Sequence, residues 1–335
     1  MKILYTGPFR PGSLTAARRE ALIQLGYEVI GLDQTDFIDC GPALLRKAQT
    51  HLLIGPNIVA YNNAIRRLAR EVTPDLVYID QAAYLWPTTV AALRDATTRL
   101  VHYTSEWFGF RKYWYRHFFK TVPLYHAHVL TFWPSKSYLE RMGARKIVMT
   151  EFGYDPSLHR PIQLTEDESS KFQTDVVFIG HWEPNTERII STLRKAGVAA
   201  RVFGPGWHRA RSLSDRAQIQ PVYGVDYVKA LAAANICLGV LSKWNNNTYS
   251  NSRTFEIPAV GGFLLTERTD EHLRYFAEGK EAEFYAPAEE LLEKTRYYLA
   301  HAEQRRVIAR AGHHRCTTSG YSHRDRMKSL MAALV

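Results

Sequence analysis

The residues best suited to chemistry lie in one stretch, Asn245 to Thr266, NNNTYSNSRTFEIPAVGGFLLT. It opens on a polar run rich in Asn and Ser, the composition of a loop. Ser252-Arg253-Thr254-Phe255-Glu256 then begins a short apolar segment with Ser or Thr at the N-cap position of a helix. Gly261-Gly262 stops it, and Phe263-Leu264-Leu265 reads as a buried strand. A helix N-terminus points free N–H groups and a partial positive charge into the preceding loop, which suits a phosphate. Arg253 adds a planar fork of donors, and Glu256 follows about one turn later. An arginine and a carboxylate so spaced suit the diphosphate and sugar hydroxyls of a nucleotide. A plain Arg–Glu pair on an exposed helix has the same spacing and little energetic weight. Spacing alone leaves both readings open.

In open parallel sheets, ligands collect beyond the carboxyl ends of the strands. The strand-like runs of the second half end on Gly180-His181-Trp182 and on Gly204-Pro205-Gly206-Trp207. Gly204 and Gly206 form a weak dinucleotide fingerprint, because the third Gly is absent. Together with Tyr223, Lys243, Ser250, Asn251, Ser252, Arg253, Phe255, Glu256, Gly261 and Gly262, residues Gly180, His181, Trp182 and Gly204 make a donor-binding set. In the first half the same rule singles out Asp80, after DLVYI, and Glu106, after Leu100–Tyr103. Either acid suits an orienting group or base for an acceptor hydroxyl, and either equally suits a loop carboxylate or helix N-cap. Asp80, Glu106 and Arg253 are therefore the candidate catalytic residues. The turn Gly7-Pro8-Phe9-Arg10-Pro11-Gly12-Ser13 has the glycine spacing of a P-loop, but Ser13 stands where the phosphate-binding Lys belongs. Gly7, Gly12 and Ser13 thus read first as a tight strand-to-helix turn, and second as a turn lining a cleft.

The elements that must position these residues follow a strand–helix rhythm. Lys2–Thr6, Glu28–Leu32, Asp75–Ile79, Leu100–Tyr103, Val129–Trp133 and Lys146–Met149 read as strands of a first series, with helices over 14–25, 42–49, 58–71, 87–95 and 135–142. A second series runs through strands Asp175–Ile179, Ala200–Phe203, Ile236–Val240 and Phe263–Leu265, with helices from Asn185, Val225, Asp270, Glu289, Ala302 and His323. Between them, Glu166-Asp167-Glu168 reads as a solvated linker. This predicts a domain over 1–155, a linker over 156–173 and a second domain over 174–335, the last helix packing back on the first domain. Residues 108–125, FGFRKYWYRHFFKTVPLY, read by default as a partly buried helix. A second reading lays Arg111, Lys112, Arg116 and Lys120 on an anionic membrane with the aromatics at its interface. His126 and His128 lack a third ligand at zinc spacing and read as structural.

Composition sets the outer bounds. The 335 residues are 46% hydrophobic and 23% charged, as in an ordinary globular protein with room for two cores. Cys40, Cys237 and Cys316 are odd in number and far apart, which speaks against a disulfide framework or a zinc site. Met1 runs directly into strand-like KILYT, and no apolar run approaches the ~20 residues of a membrane span. A cytoplasmic protein is expected, with peripheral contact at the inner membrane face as an option. The net charge of +10 favours polyanions: nucleotide phosphates, anionic lipid or, less well for want of a basic tail, nucleic acid.

SRTFEIPAVGGFLL, followed by LRYFAEGKEAEFY and TRYYLAHAEQRRVIARAGHHRC, resembles the C-terminal half of the spore-maturation CgeB-like glycosyltransferases, within the wider GT-B group. GPFRPGS, ALIQLGYEVIGLD and EFGYDPSLHRP extend the resemblance more loosely to the N-terminal half. It implies an α/β GT-B architecture, two Rossmann-like doubly wound domains facing a central cleft. It further implies transfer of a sugar, a hexose, from a UDP-, GDP- or dTDP-linked donor to an acceptor glycan, lipid-linked sugar or other hydroxyl compound. Transfer would proceed with retention, without metal (no Asp-x-Asp pair is present) and without any cofactor beyond the nucleotide-sugar substrate. Glu256 matches the second of two family glutamates eight residues apart, the one that contacts the donor ribose; Thr248 stands at the first position. Two alternatives remain: a non-catalytic nucleotide- or sugar-binding protein of the same fold, and a transferase directed at a nucleic-acid base.

Overall fold

A computed structural model describes the chain except residues 11, 98, 106, 109–114, 244–248, 287 and 335 and the side chain of residue 288. The chain divides into two compact units, Met1–Glu151 with Arg324–Val335, and Phe152–His323.

The first unit is built on a parallel sheet whose described strands are β1 (Lys2–Gly7), β2 (Glu28–Asp33), β3 (Leu76–Asp80), β4 (Arg99–Thr104), β5 (Ala127–Leu130) and β6 (Ile147–Met149). Their order is β2-β1-β3-β4-β5-β6, so the chain reverses direction across the sheet between β1 and β3. The central strands are apolar runs buried on both faces, as a helix-covered parallel sheet requires. The Pro56–Val72 helix sets Ile58, Tyr61, Ile65 and Ala69 against it at helical spacing. The His323–Leu334 helix adds Met327, Leu330, Met331 and Leu334 to a core shared with Ile3, Tyr5 and Val129. The fifth strand ends at Leu130 rather than Trp133, because Trp133-Pro134 opens the next helix, with Pro inside the first turn where its missing N–H costs nothing.

In the described part of the aromatic stretch the buried reading holds. Phe108, Tyr115, Phe118 and Tyr125 are all buried, clustered around His102 and His128, so these rings are not at an interface. Arg111 and Lys112 lie outside the described residues; Arg116 donates to the His51 carbonyl. His126 accepts from the Leu100 amide and His128 pairs with the Val122 carbonyl, both main-chain duties.

The described strands of the second unit are β7 (Thr174–Ile179), β8 (Ala200–Phe203), β9 (Ala234–Gly239), β10 (Leu264–Glu267) and β11 (Glu283–Tyr285), all parallel, in the order β11-β10-β9-β7-β8. Here the order reverses between β7 and β9. Glu166-Asp167-Glu168 is not a linker: it forms the first turn of a Glu166–Phe172 helix. Thr165 and Glu168 close a capping box there, and the acids suit the helix N-terminus. The helix opening at Ala302 continues through Gly312 to Thr318. A β-carbon at Gly312 would stand 2.2 Å from the Glu281 carbonyl, so the glycine lets that helix lie against the turn before β11.

Candidate functional site

The order reversal of the second sheet holds the arrangement closest to a ligand site. Arg253, the first residue of the Arg253–Val260 helix, reaches across it. Nη1 donates to the Ile179 carbonyl (3.1 Å) at the end of β7, and Nη2 to the Val240 carbonyl (2.9 Å) just after β9. The guanidinium lies 5.1 Å over the Phe178 ring, and its Nε is buried with no partner among the described residues. Gly180 makes room for it, since a β-carbon there would sit 3.0 Å from Nη1.

Glu183 ties the same two strand ends together. Its buried carboxylate accepts from His181 Nε2 (2.8 Å), the Ser242 hydroxyl (2.5 Å) and the Lys243 amide (2.8 Å). Burial works against its charge, but these three donors hold it below the usual carboxylate range. Lys243 itself reaches Glu267, at the end of β10 (2.9 Å). One turn on, Glu187 collects the Trp182 indole N–H, the Arg211 and Ser212 amides and the Ser212 hydroxyl, each at 2.7 Å. Burial again opposes the charge, and the donors bring it down to about 2. The loops after β7 and β8 are zipped by Trp182 N–H to the Pro205 carbonyl and the Trp207 indole N–H to the Gly180 carbonyl. Gly204, at φ 143°, comes so close to Gly180 that a β-carbon would lie 2.0 Å from its carbonyl oxygen. The exposed His208, Arg209 and Arg211 follow on the β8 loop.

The rest of the donor set divides. Ser252 has helical backbone and makes no capping hydrogen bond; the Thr254 hydroxyl closes the turn by accepting from the Asn251 amide. The Thr254, Phe255 and Glu256 amides turn back on the Asn251 and Ser252 carbonyls, so these N–H groups are already used. Ser250 is buried and donates to Glu271. Phe255 packs on Tyr275 and Tyr321, and Gly261-Gly262 close the helix with bonds to Pro258 and Ile257; these three serve the core. Glu256 is buried too, not on an exposed face, and not paired with Arg253: it accepts from the Tyr227 hydroxyl (2.6 Å), with His159 Nε2 at 3.9 Å. Tyr223 is exposed at the start of the Gly224–Ala232 helix.

In the first unit, Asp80 lies at the end of β3, at that sheet's own order reversal, but is fully buried. Its Oδ2 accepts from Arg18 Nε (2.9 Å) and the Tyr5 hydroxyl (2.8 Å), with Arg18 Nη2 at 2.7 Å; Arg18 also stacks over Tyr103. A carboxylate so enclosed anchors the first helix to the sheet and is not placed to take a proton from a substrate. Burial and the neighbouring carboxylate keep the Tyr5 hydroxyl protonated. Gly7 passes within 2.9 Å (as a β-carbon) of the Asp80 carbonyl, and Ser13 caps the first helix by accepting from the Ala16 amide, with Gly12 at φ 75°. This is the tight turn. Glu106 lies outside the described residues, as does Thr248.

With this geometry in hand, comparison with solved structures is informative about fold. The chain is similar over its full length to the Anabaena Alr3699/HepE protein in complex with UDP-glucose, at 13% identity and TM-score 0.65, covering 100% of both chains. It is similar to sucrose-phosphate synthase (tll1590) from Thermosynechococcus elongatus at 11% identity and TM-score 0.64, covering 100% of this chain and 99% of that one. The fold is GT-B. It is not confined to sugar transfer: UDP-GlcNAc 2-epimerase from Neisseria meningitidis, solved with UDP-GlcNAc, aligns at 14% identity and TM-score 0.54 over 100% of this chain and 99% of its own. Residues 183–332 of this GT-B chain, a little under half of it, match the family described as glycosyl transferase-like. No curated protein sequence is matched.

That match begins at Glu183, which the reading of the sequence passed over together with Glu187 and Ser242. A signal was present: Trp182-Glu183-Pro184 sets an acid directly before a proline at a helix start, beyond a strand end.

Proposed function

We propose that this chain moves a sugar from a nucleoside-diphosphate sugar to an acceptor hydroxyl. The observation that carries the reading is the Arg253 guanidinium fixed across the ends of β7 and β9, inside the glycosyl transferase-like stretch. The donor diphosphate lies over those strand ends. Arg253 Nε, Lys243 and the basic loop after β8 supply positive charge as the diphosphate departs. The sugar is a hexose on UDP, GDP or dTDP; the UDP-glucose complex of the Anabaena protein favours UDP. The enclosed Asp80 fits transfer with retention, in which the departing phosphate itself receives the acceptor proton. The proposal of metal independence rests on the missing Asp-x-Asp pair. The acceptor is a glycan, a lipid-linked sugar or another hydroxyl compound, met in the cytoplasm.

The test is a thermal-shift panel of UDP-, GDP- and dTDP-sugars on the whole chain, followed by transfer assays with and without EDTA and assignment of the product's anomeric configuration. A nucleotide sugar that raises the melting temperature, with binding lost roughly ten- to a hundredfold in Arg253→Ala, is expected. No shift with any nucleotide sugar overturns the reading. Both Arg253 Nη groups are spent on main-chain carbonyls, which favours one second reading, a nucleotide-sugar-binding protein without turnover. Binding without product from any acceptor would establish it.

A further inference from the structure

Among the described residues, the exposed large apolar side chains are not spread evenly. Leu44, Leu45, Leu52, Ile54 and Val59 fall within the span 44–59, and Leu44 is 83% exposed. The Ala43–Leu52 helix has a single buried side chain, and it is polar: Gln49, which accepts from the Asn57 amide. Leu44, Ala48 and Leu52 repeat every four residues with Leu45 beside them, so the helix turns its apolar stripe outward, the reverse of a core-packing helix. The following Pro56–Val72 helix continues the surface. Val59 is exposed on it, and the same helix borders a groove of about 690 Å³ lined by Ala60, Ala64, Arg66, Arg67 and Arg70 together with Phe37 and Ala92.

The charge pattern selects the occupant. From Asp39 to Glu71 the sequence has five basic residues (Arg46, Lys47, Arg66, Arg67 and Arg70) against two acids, the flanking Asp39 and Glu71, and the exposed Glu71 lies 3.9 Å from Arg67. A second copy of the same surface would set these cations against one another. A nucleic acid would match the charge but would gain nothing from five aliphatic side chains, where stacking asks for aromatic ones. A bilayer with anionic headgroups answers both features, apolar side chains entering at the acyl boundary and cations meeting phosphate.

We propose that the outer face of residues 43–70 docks on an anionic membrane surface, with Leu44, Leu45 and Leu52 inserted and Arg67 and Arg70 at the headgroups. The placement is independent of the transfer reading. It also differs from the 108–125 stretch, whose described aromatic rings are buried or partly buried. The helix follows β2, so it lies at the carboxyl edge of the first sheet, the edge that carries Gly7 and Asp80.

The experiment is co-sedimentation of the full chain with vesicles of phosphatidylcholine alone or with phosphatidylglycerol, at low and high salt. Binding is expected only with phosphatidylglycerol and is weakened by salt. The triple variant Leu44→Ser, Leu45→Ser, Leu52→Ser alters exposed positions, so its melting temperature should hold while partitioning falls about tenfold or more. The pair Arg67→Glu, Arg70→Glu should reduce partitioning about as far and flatten the salt dependence. No sedimentation with anionic vesicles, equal binding to neutral ones, or a triple variant that binds as well as the parent overturns the proposal. So does a parent that is dimeric by size exclusion and made monomeric by the triple variant, or a parent that binds single-stranded DNA but no vesicle.

Discussion

Glu256 and Tyr227 are the residues whose chemistry can be separated most cleanly. Tyr227 is partly buried and its hydroxyl donates to Glu256 at 2.6 Å; desolvation first, and the carboxylate second, keep it protonated. Tyr227→Phe leaves the carboxylate short of a donor and is expected to cost about 1–3 kcal/mol in stability, with nucleotide affinity little changed. Glu256→Gln keeps an acceptor for Tyr227. If Glu256 reads donor ribose, as the family resemblance implies, this variant loses roughly ten- to a hundredfold in donor affinity at near-parental stability. Calorimetry and melting on both variants check this; an unchanged donor affinity in Glu256→Gln assigns the residue to the core. The sequence made Arg253 and Glu256 visible as a spaced pair, but their partners are carbonyls and a hydroxyl from distant segments, and no spacing rule encodes those. Glu183 shows the same limit from the other side: its acid was in plain view, while Ser242 and Lys243, which give it meaning, come from another strand end.

Elements were far more legible than contacts. Period and turn chemistry gave the βα series almost throughout, because each strand is a short apolar run closed by a breaker. The failures have local causes. A three-residue strand, Glu283–Tyr285, is too short to show a period, and the capping box at Thr165 was hidden by reading its acids as charge alone. Glycines belong to this scale. Gly204→Ala should cost stability by more than the ~1–2 kcal/mol of left-handed backbone alone, because its β-carbon would press on the Gly180 carbonyl at 2.0 Å and part the β7 and β8 loops. Gly206→Ala is the control: it is also left-handed, but its nearest neighbour stands at 3.5 Å. Thermal melts should rank Gly204→Ala well below Gly206→Ala; equal losses would mean that only backbone conformation matters there.

For the molecule as a whole, three buried imidazoles set the acid limb of stability. Burial lowers His128 and His272 to about 4, and burial together with His128 lowers His102 well below its ordinary value. A histidine with a lowered folded pKa binds protons more readily when unfolded. Its neutral form therefore contributes in full above about 6.5, and that contribution drains away as pH falls toward about 4. Glu187 acts in the same direction lower down, between about 4.3 and about 2. The melting temperature should fall steadily from pH 7 to 4.5, well above the usual carboxylate range; a flat profile over that window would show that these imidazoles are not held neutral. None of this was readable from the chain, where His102, His128 and His272 look like any other histidines. The tie made by Arg253 has a different consequence for how such a chain can vary. Its partners are the main-chain oxygens of residues 179 and 240, and an oxygen is present there whatever the side chain. Substitutions at those two positions can retune the packing beneath the strand ends while the tie persists. Position 253 needs a fork long enough to span both strands, and position 180 favours glycine, because a β-carbon there would press on Phe178 Cζ at 2.7 Å and on Arg253 Nη1 at 3.0 Å. Drift is thus steered away from two residues and permitted at the two they serve.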